Sequence, residues 1–430
     1  MLGEFFANHN IINIIIIIIG YLMPLPLSYV AFHFWHHYRT ERFIAGMKWT
    51  LLEVQVPREV NKSPSAMELI FTNAFFHKSG KGFWEQYIQG APWMWFSLEM
   101  VGIDGKVHFY IRTPSRIRGL VETQIYAQYP QAKVIESEDY VFHVPKITKH
   151  GNWYMWGCEY KKALHDARPI KTYRDMEEME SGTKEEYKVD PITPVIEFLG
   201  SLAKGEQVWI QIIVRQTLKK YHSHKLKKHV DFYTAAQEHL DELLAPYTKV
   251  GKGGGLGGRD SLEVRAPAYL DPVIKKSVRN LEEVHFDCGI RVVTLANKQY
   301  VSEANFNNLR RNSRLIWRQY ASPSLNELER FNSTQFDSPF ADPTGLVLTK
   351  MKARMVNFYR LRVMFHPPLQ YSFKYHPLIK TFFPSGSPEI FVMSSEELAT
   401  IFHFPGMVSE APTFKRVESK IAKPPSNLPS

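Results

Sequence analysis

The chain has 430 residues, of which 44% are hydrophobic, 13% aromatic and 22% charged. That composition excludes a disordered tail and leaves enough length for more than one real core. The formal charge of +10 favours acidic partners, namely anionic lipid head groups, nucleic acid or an acidic protein surface, without choosing among them. Two cysteines, Cys158 and Cys288, form neither a zinc pattern nor a disulfide framework, which agrees with a reducing cytoplasm.

Residues 1–10 carry one charged side chain, Glu4, and residues 11–35 (IINIIIIIIGYLMPLPLSYVAFHFW) contain no Lys, Arg, Asp or Glu. A helix rises about 1.5 Å per residue, so some 20 apolar residues cross a hydrocarbon core about 30 Å thick. The stretch predicts a transmembrane helix kinked at Pro24 and Pro26, or a shorter span over 11–23. A cleaved signal peptide fits less well, because a positive leader and a small-x-small cleavage site are missing. Residues 36–49 form a basic juxtamembrane segment. Its Arg39, Arg42 and Lys48 follow the apolar run, and the positive-inside rule then puts the amino terminus outside and the main body in the cytoplasm. His33 and His37 lie four apart without a third ligand and read as part of an interfacial belt with Trp35 and Tyr38.

Residues 50–150 read as a β-α-β-β-α-β unit. TLLEVQV at 50–56 is a strand, and Ser63 or Ser65 starts a helix with Met67, Ile70, Phe71 and Ala74 on one face. WMWFSLEMV and KVHFYIR are strands joined by a turn containing Asp104-Gly105. Ser115 caps a helix with Ile117, Leu120, Val121 and Ile125 inward, and Ala132–Ile135 closes the unit. This is the ferredoxin-like order, with helices on one face of a four-stranded antiparallel sheet.

The same order recurs over 151–330. Trp153–Lys161 and Ile170–Tyr173 are strand-like, 177–186 is an acidic loop, and a helix carries Val195, Phe198, Leu199 and Leu202. QVWIQIIVR at 207–215 and FDCGIRVVTL at 286–295 are the central strands, and Ser302 caps a long helix. An insert at 217–284 separates those strands. It opens with a basic, helix-like run, TLKKYHSHKLKKH, and passes through GKGGGLGG at 251–258, six glycines in eight residues. Residues 331–410 form a small C-terminal α/β segment, with Lys350–Phe365 basic and amphipathic or strand-like, and 411–430 a Pro-rich tail. The expected fold class is therefore α+β: one N-terminal transmembrane helix, two ferredoxin-like (βαββαβ) modules in pseudo-repeat, and a small C-terminal α/β segment.

The glycine loop fails as a phosphate cradle, because a P-loop needs Gly-Lys-Ser/Thr and Lys252 is followed by Gly253. Zincin and hydrolase-elbow motifs are missing too, so the reading expects no enzyme, no cofactor and no metal. The best partner site is the run Lys219, Lys220, Lys225, Lys227 and Lys228, which could neutralise phosphates of DNA or of anionic lipid. Its bland alternative is a solvated helix face.

FSLEMVGIDGKVHFYIRTPSRIRGLVETQIYAQYPQ from Phe96, FNNLRRNSRLIWRQYASP from Phe306 and SSEELATIFHFPG from Ser394 resemble the membrane-proximal, non-motor half of bacterial type IV secretion and conjugative DNA transfer ATPases. The resemblance covers most of 45–430 and rests on no catalytic signature. It implies a single-pass protein of the bacterial inner membrane whose ferredoxin-like modules precede a RecA-type motor. The Walker residues have no counterpart here, so the reading expects a scaffold that docks a separately encoded ATPase. A membrane-tethered DNA-binding protein using 217–229 is the alternative, and a second copy of the chain is a further candidate partner.

Overall fold

The computed structural model describes residues 20–57, 62–77, 80–179, 190–223, 225–251, 261–264, 267, 270–336, 342–367 and 389–405. The glycine loop at 252–258, much of the acidic loop and the tail lie outside them. The chain divides into two compact units: Met1–Met47 with Ser79–Trp93 and His366–Ser385, and Lys48–Lys78 with Met94–Phe365 and Gly386–Ser430.

In the first unit, helix α1 (Pro24–Gly46) starts on Pro24, where the missing N–H of proline costs nothing. Residues 20–22 are helical as well, and Met23 keeps helical dihedrals, so the prolines sit at a break between two helical stretches. The helix then runs through Arg39, Glu41 and Arg42. No helix among the described residues is long and apolar enough to cross a membrane. The expected transmembrane helix over 11–35, and with it the single-pass inner-membrane placement, is therefore corrected; its portion 11–19 lies outside the described residues. Arg39 and Arg42 sit within α1 instead of flanking a span. Arg39 Nε donates to the Ile88 carbonyl at 3.0 Å, and Phe32 and His36 contact the Tyr87 ring. Gly90 (φ 70) lets the backbones meet, since a Cβ there would lie 2.6 Å from Thr40 N.

The second unit runs β1 (Trp49–Gln55), α2 (Ser65–Ile70, continued by a π turn to Phe75), β2 (Phe96–Ile103), β3 (Lys106–Pro114), α3 (Arg118–Gln128), β4 (Lys133–Glu136), β5 (Trp153–Lys162), α4 (Tyr173–Met179), α5 (Thr193–Gly200) and β6 (Glu206–Gln216). The insert follows as β7 (Tyr221–Ser223), β8 (Lys228–Val230), α6 (Phe232–Leu244), β9 (Thr248–Gly251), β10 (Ser261–Val264) and α7 (Asp271–Glu282). Then come β11 (His285–Asn297), α8 (Glu303–Ser313), β12 (Leu328–Phe331), α9 (Leu346–Leu361), β13 (Phe391–Ser394) and α10 (Ser395–Ile401). Lys350–Phe365 is thus largely helical, and Ile170–Tyr173 forms no strand.

Nine strands make one antiparallel sheet in the order β12-β5-β11-β6-β2-β3-β1-β4, with β13 also on β11. The expected fold class needs correction here as well. The two halves do not form separate modules, because β2 and β6 pair over eight residues from Phe96↔Val214 to Ile103↔Gln207 and make the sheet continuous. Nor is there a separate C-terminal segment, since β13 extends the sheet beside β11 and α9 packs on its face. Nor is one face open. Helices α2, α3, α5, α8 and α10 cover one side, burying Met67, Ile125, Leu199, Phe306 and Leu398. Helix α9 and the turn Tyr140–Phe142 cover the other, with Met355, Val356, Tyr359, Tyr140 and Val141 against Trp209 and Val293. This is why β11 is buried from His285 to Ala296 without an outward polar row.

Candidate functional site

Lys219, Lys220, Lys225, Lys227 and Lys228 lie at the root and tip of an antiparallel hairpin, β7–β8, and not on a helix. Its pairs are Tyr221↔Val230, His222↔His229 and Ser223↔Lys228. Two local contacts select the turn. Ser223 Oγ accepts the Leu226 N–H at 2.8 Å and donates to Glu238 Oε1 on α6 at 2.6 Å. Lys227 takes a left-handed φ of 48°, which a helix would not allow. Ser223 and Val230 point inward, while Lys220, Lys225, Lys227 and Lys228 are exposed. Among the described residues none of these four lysines makes an ion pair.

Lys219 behaves differently. Its Nζ lies 2.7 Å from Asp166 Oδ2 and 4.9 Å from the centroid of Tyr221, whose hydroxyl also donates to Asp166. It is an anchor for the hairpin and not a free contact. Asp287, at the start of β11, fixes the root further. It accepts from Arg215 Nε (3.1 Å), Thr217 Oγ1 (3.0 Å) and the N–H groups of Leu218 (3.1 Å) and Lys219 (3.2 Å). Beside the root, His165 stacks on His239 at 4.4 Å. Burial, then His165 and Arg168, push His239 down to about 4, so it stays neutral and its Nε2 accepts from Arg168 Nε at 3.3 Å.

A second feature was not legible as a site. Glu159, Arg291, Gln211 and Glu99 are direct cross-strand partners on β5, β11, β6 and β2. Each is nearly or fully buried. Arg291 Nη2 meets Glu159 Oε1 at 2.5 Å, its Nη1 donates to Gln211 Oε1 at 3.1 Å, and Gln211 Nε2 donates to Glu99 Oε1 at 3.3 Å. Arg362, just past α9, completes the row by bonding Glu99 and Asp139. Burial works to raise the Glu99 carboxyl, but the Arg362 guanidinium and hydrogen bonds from Ser97 and Tyr140 outweigh it and hold the pKa below the usual range. With every member partnered inside the protein, the row is a clamp between sheet and helix.

A third cluster joins α2, α4, α7 and α10. Tyr173 Oη and Arg174 Nη2 donate to Glu68 at 2.8 and 2.9 Å, and Arg279 Nη2 lies 2.8 Å from Glu396 and 3.1 Å from Asp175. Burial, reinforced by Glu283 and Glu396 and opposed by Tyr173 and Arg174, brings Glu68 up to about 7. Among the described residues no group of three His, Cys, Asp or Glu side chains could hold a metal ion. Both cysteines are buried, and burial pushes the Cys158 thiol up to about 12, far from a reactive thiolate. No family model matches the sequence, and no curated protein matches it.

Proposed function

We propose that the chain is a non-catalytic platform that binds nucleic acid through its basic hairpin, beside a separate motor of the type IV secretion kind. The observation that carries the reading is the hairpin itself. Four lysines, Lys220, Lys225, Lys227 and Lys228, are exposed and form no ion pair among the described residues, with Asp231 the one carboxylate that feels Lys220, on a turn rooted by Asp166, Asp287 and Glu238. A fixed array of exposed cations releases counterions when it meets phosphates. Binding of the full chain to duplex DNA is measured by fluorescence anisotropy over a salt series. Up to four phosphate contacts give a slope of log K against log salt of about −3.6 at most. Changing the four exposed lysines to Glu abolishes that component. Binding that is missing, or that ignores salt, refutes the reading.

Docking of a secretion ATPase is the second reading. It is favoured by the resemblance of Phe96–Tyr129 and by the short strands β4 and β12, each of which closes one edge of the sheet. Open edges can accept a partner strand. Cross-linking in the native cell followed by capture of this chain recovers a RecA-type ATPase if the reading holds, and recovers none if it fails.

A further inference from the structure

We infer that a cleft where β5 begins and β11 ends takes one adenine nucleotide, with Trp153 against the base, the carboxamides of Asn152 and Gln299 on its edge and Lys146 on its phosphate. The cleft has a volume of about 340 Å³, in the range that holds small ligands. Local contacts fix its walls. Trp153 and Asn297 are the last pair of the β5–β11 ladder, and the Lys298 N–H extends it by donating to the Asn152 carbonyl at 2.9 Å. Asn297 Oδ1 accepts the Gln299 N–H at 3.0 Å and so sets the turn that carries Gln299 into the lining. The loop before β5 supplies the rest, Lys146, Ile147, Thr148 and Gly151. Ile147 and Trp153 pack on the core beneath α9, which holds this loop and the start of β5 in place. Gly151 leaves the loop its room, since a Cβ there would lie 2.9 Å from Thr148 Oγ1.

The lining decides the class of ligand. Among the described residues no carboxylate lines the cleft, which disfavours a metal ion or an organic cation. The side chains of Lys146, Thr148, Asn152, Trp153 and Gln299 make no hydrogen bond to another described residue, so their donors and acceptors remain for a ligand. A carboxamide offers a donor and an acceptor together, the complement of adenine N7 and its N6 amino group. Guanine presents two acceptors on the same edge and is read by Arg or Lys instead. The indole supplies a face for the base to stack on. One ammonium, that of Lys146, suits one phosphate. A free nucleotide and a nucleotide within a strand share this chemistry, and the second source rests on the nucleic-acid reading above.

The test titrates AMP into the full chain by calorimetry, up to about 10 mM. AMP binds, and UMP and inorganic phosphate bind at least about fivefold more weakly. Asn152→Ala with Gln299→Ala, both at exposed positions where folding is spared, lowers the AMP affinity by about tenfold. Lys146→Ala lowers it by about fivefold, and adenosine, which lacks the phosphate, is weaker than AMP by the same factor. AMP quenches part of the tryptophan emission. Trp153→Phe removes that quench and keeps the affinity within about threefold, because phenylalanine still stacks. AMP binding is unchanged when the four hairpin lysines are already Glu, so failure here and failure of the hairpin reading are separately visible. In that same background an oligodeoxyadenylate of about 20 nucleotides tells the sources apart. A tenfold loss on Asn152→Ala with Gln299→Ala places the nucleotide in a strand, and no loss beside intact AMP binding makes it a free one. Three results overturn the inference: neither ligand responds to the cleft variants, AMP binds no better than inorganic phosphate, or the double variant holds AMP within about twofold of the parent.

Discussion

Arg362→Met tests what holds the two faces of the sheet together. The guanidinium is 1% exposed and donates to Glu99 Oε1 (2.9 Å), Glu99 Oε2 (3.1 Å), Asp139 Oδ1 (2.9 Å) and the Arg360 carbonyl (2.9 Å). Methionine keeps most of the apolar stem but strands Glu99, which is 0% exposed. Breaking a buried pair from one side costs about 3–5 kcal/mol. Ser97, Tyr140 and Gln211 still donate to Glu99, so the lower end, about 3 kcal/mol, is expected. Urea unfolding followed by tryptophan fluorescence reads this directly, since Trp209 packs 5.3 Å from the Tyr359 ring. With a slope near 3 kcal/mol/M the midpoint falls by about 1 M. Adding Glu99→Gln removes the stranded charge and recovers at least about 1 kcal/mol. The pH dependence has a definite sign. In the parent, the depressed Glu99 contributes stability that is present above its unfolded value and lost as the pH falls through the folded one. In Arg362→Met the guanidinium no longer offsets burial, and only the hydrogen bonds from Ser97, Tyr140 and Gln211 still oppose it, so the carboxyl rises above its value in the parent, the deficit is largest near neutral pH, and it narrows as the pH falls. A loss under about 1 kcal/mol, or no recovery in the double variant, refutes the clamp.

Three further outcomes follow from the same geometry. Glu68, at about 7 in the folded protein against 4.5 unfolded, contributes stability that is present below pH 4.5 and lost as the pH rises through 7. Glu68→Gln removes that dependence, by at most about 3 kcal/mol, and pH-resolved urea midpoints that keep their slope between pH 5 and 8 contradict it. His239 has the opposite sign: held at about 4, it contributes stability that is present above pH 6.5 and lost as the pH falls. His239→Gln therefore flattens the acid limb between about pH 6.5 and 4, and an unchanged limb counts against it. Ser394 Oγ accepts the Glu397 N–H at 3.2 Å while Glu397 Oε2 accepts the Ser394 N–H at 3.0 Å, a reciprocal cap on α10. Ser394→Ala lowers stability by about 1 kcal/mol, and a midpoint within error of the parent refutes the role of the cap.

Local chemistry was legible where it is decided locally. Asp104 and Gly105 take φ of 51° and 78°, the left-handed pair that a tight hairpin requires, and a sequence shows Asp-Gly directly. The lysine run misled because its charge resembles a solvated helix, whereas the turn is selected by Ser223 and by Glu238 further along the chain. The apolar reading of 11–35 ran past a change of character: the described helix from Pro24 goes on through Arg39, Glu41 and Arg42 to Gly46.

The expected separation into two modules fails for a reason that can be stated in charges. Glu99 belongs to the first four strands, and in an isolated four-stranded unit the alternation of β2 would place it on an open, hydrated face. In this protein that face is covered by α9, so Glu99 is fully buried, and a buried carboxylate is tolerated only with a cation against it. Arg362 supplies the cation from beyond the last strand of the second half. Gln211 links Glu99 to Arg291, and Arg291 neutralises Glu159 in turn. Each half therefore holds one acid, Glu99 or Glu159, whose burial depends on α9 closing over both. The continuous sheet and its second covered face are a single requirement: with β2 and β6 separated, Glu99 would lose Gln211, and with α9 removed the row would open to water.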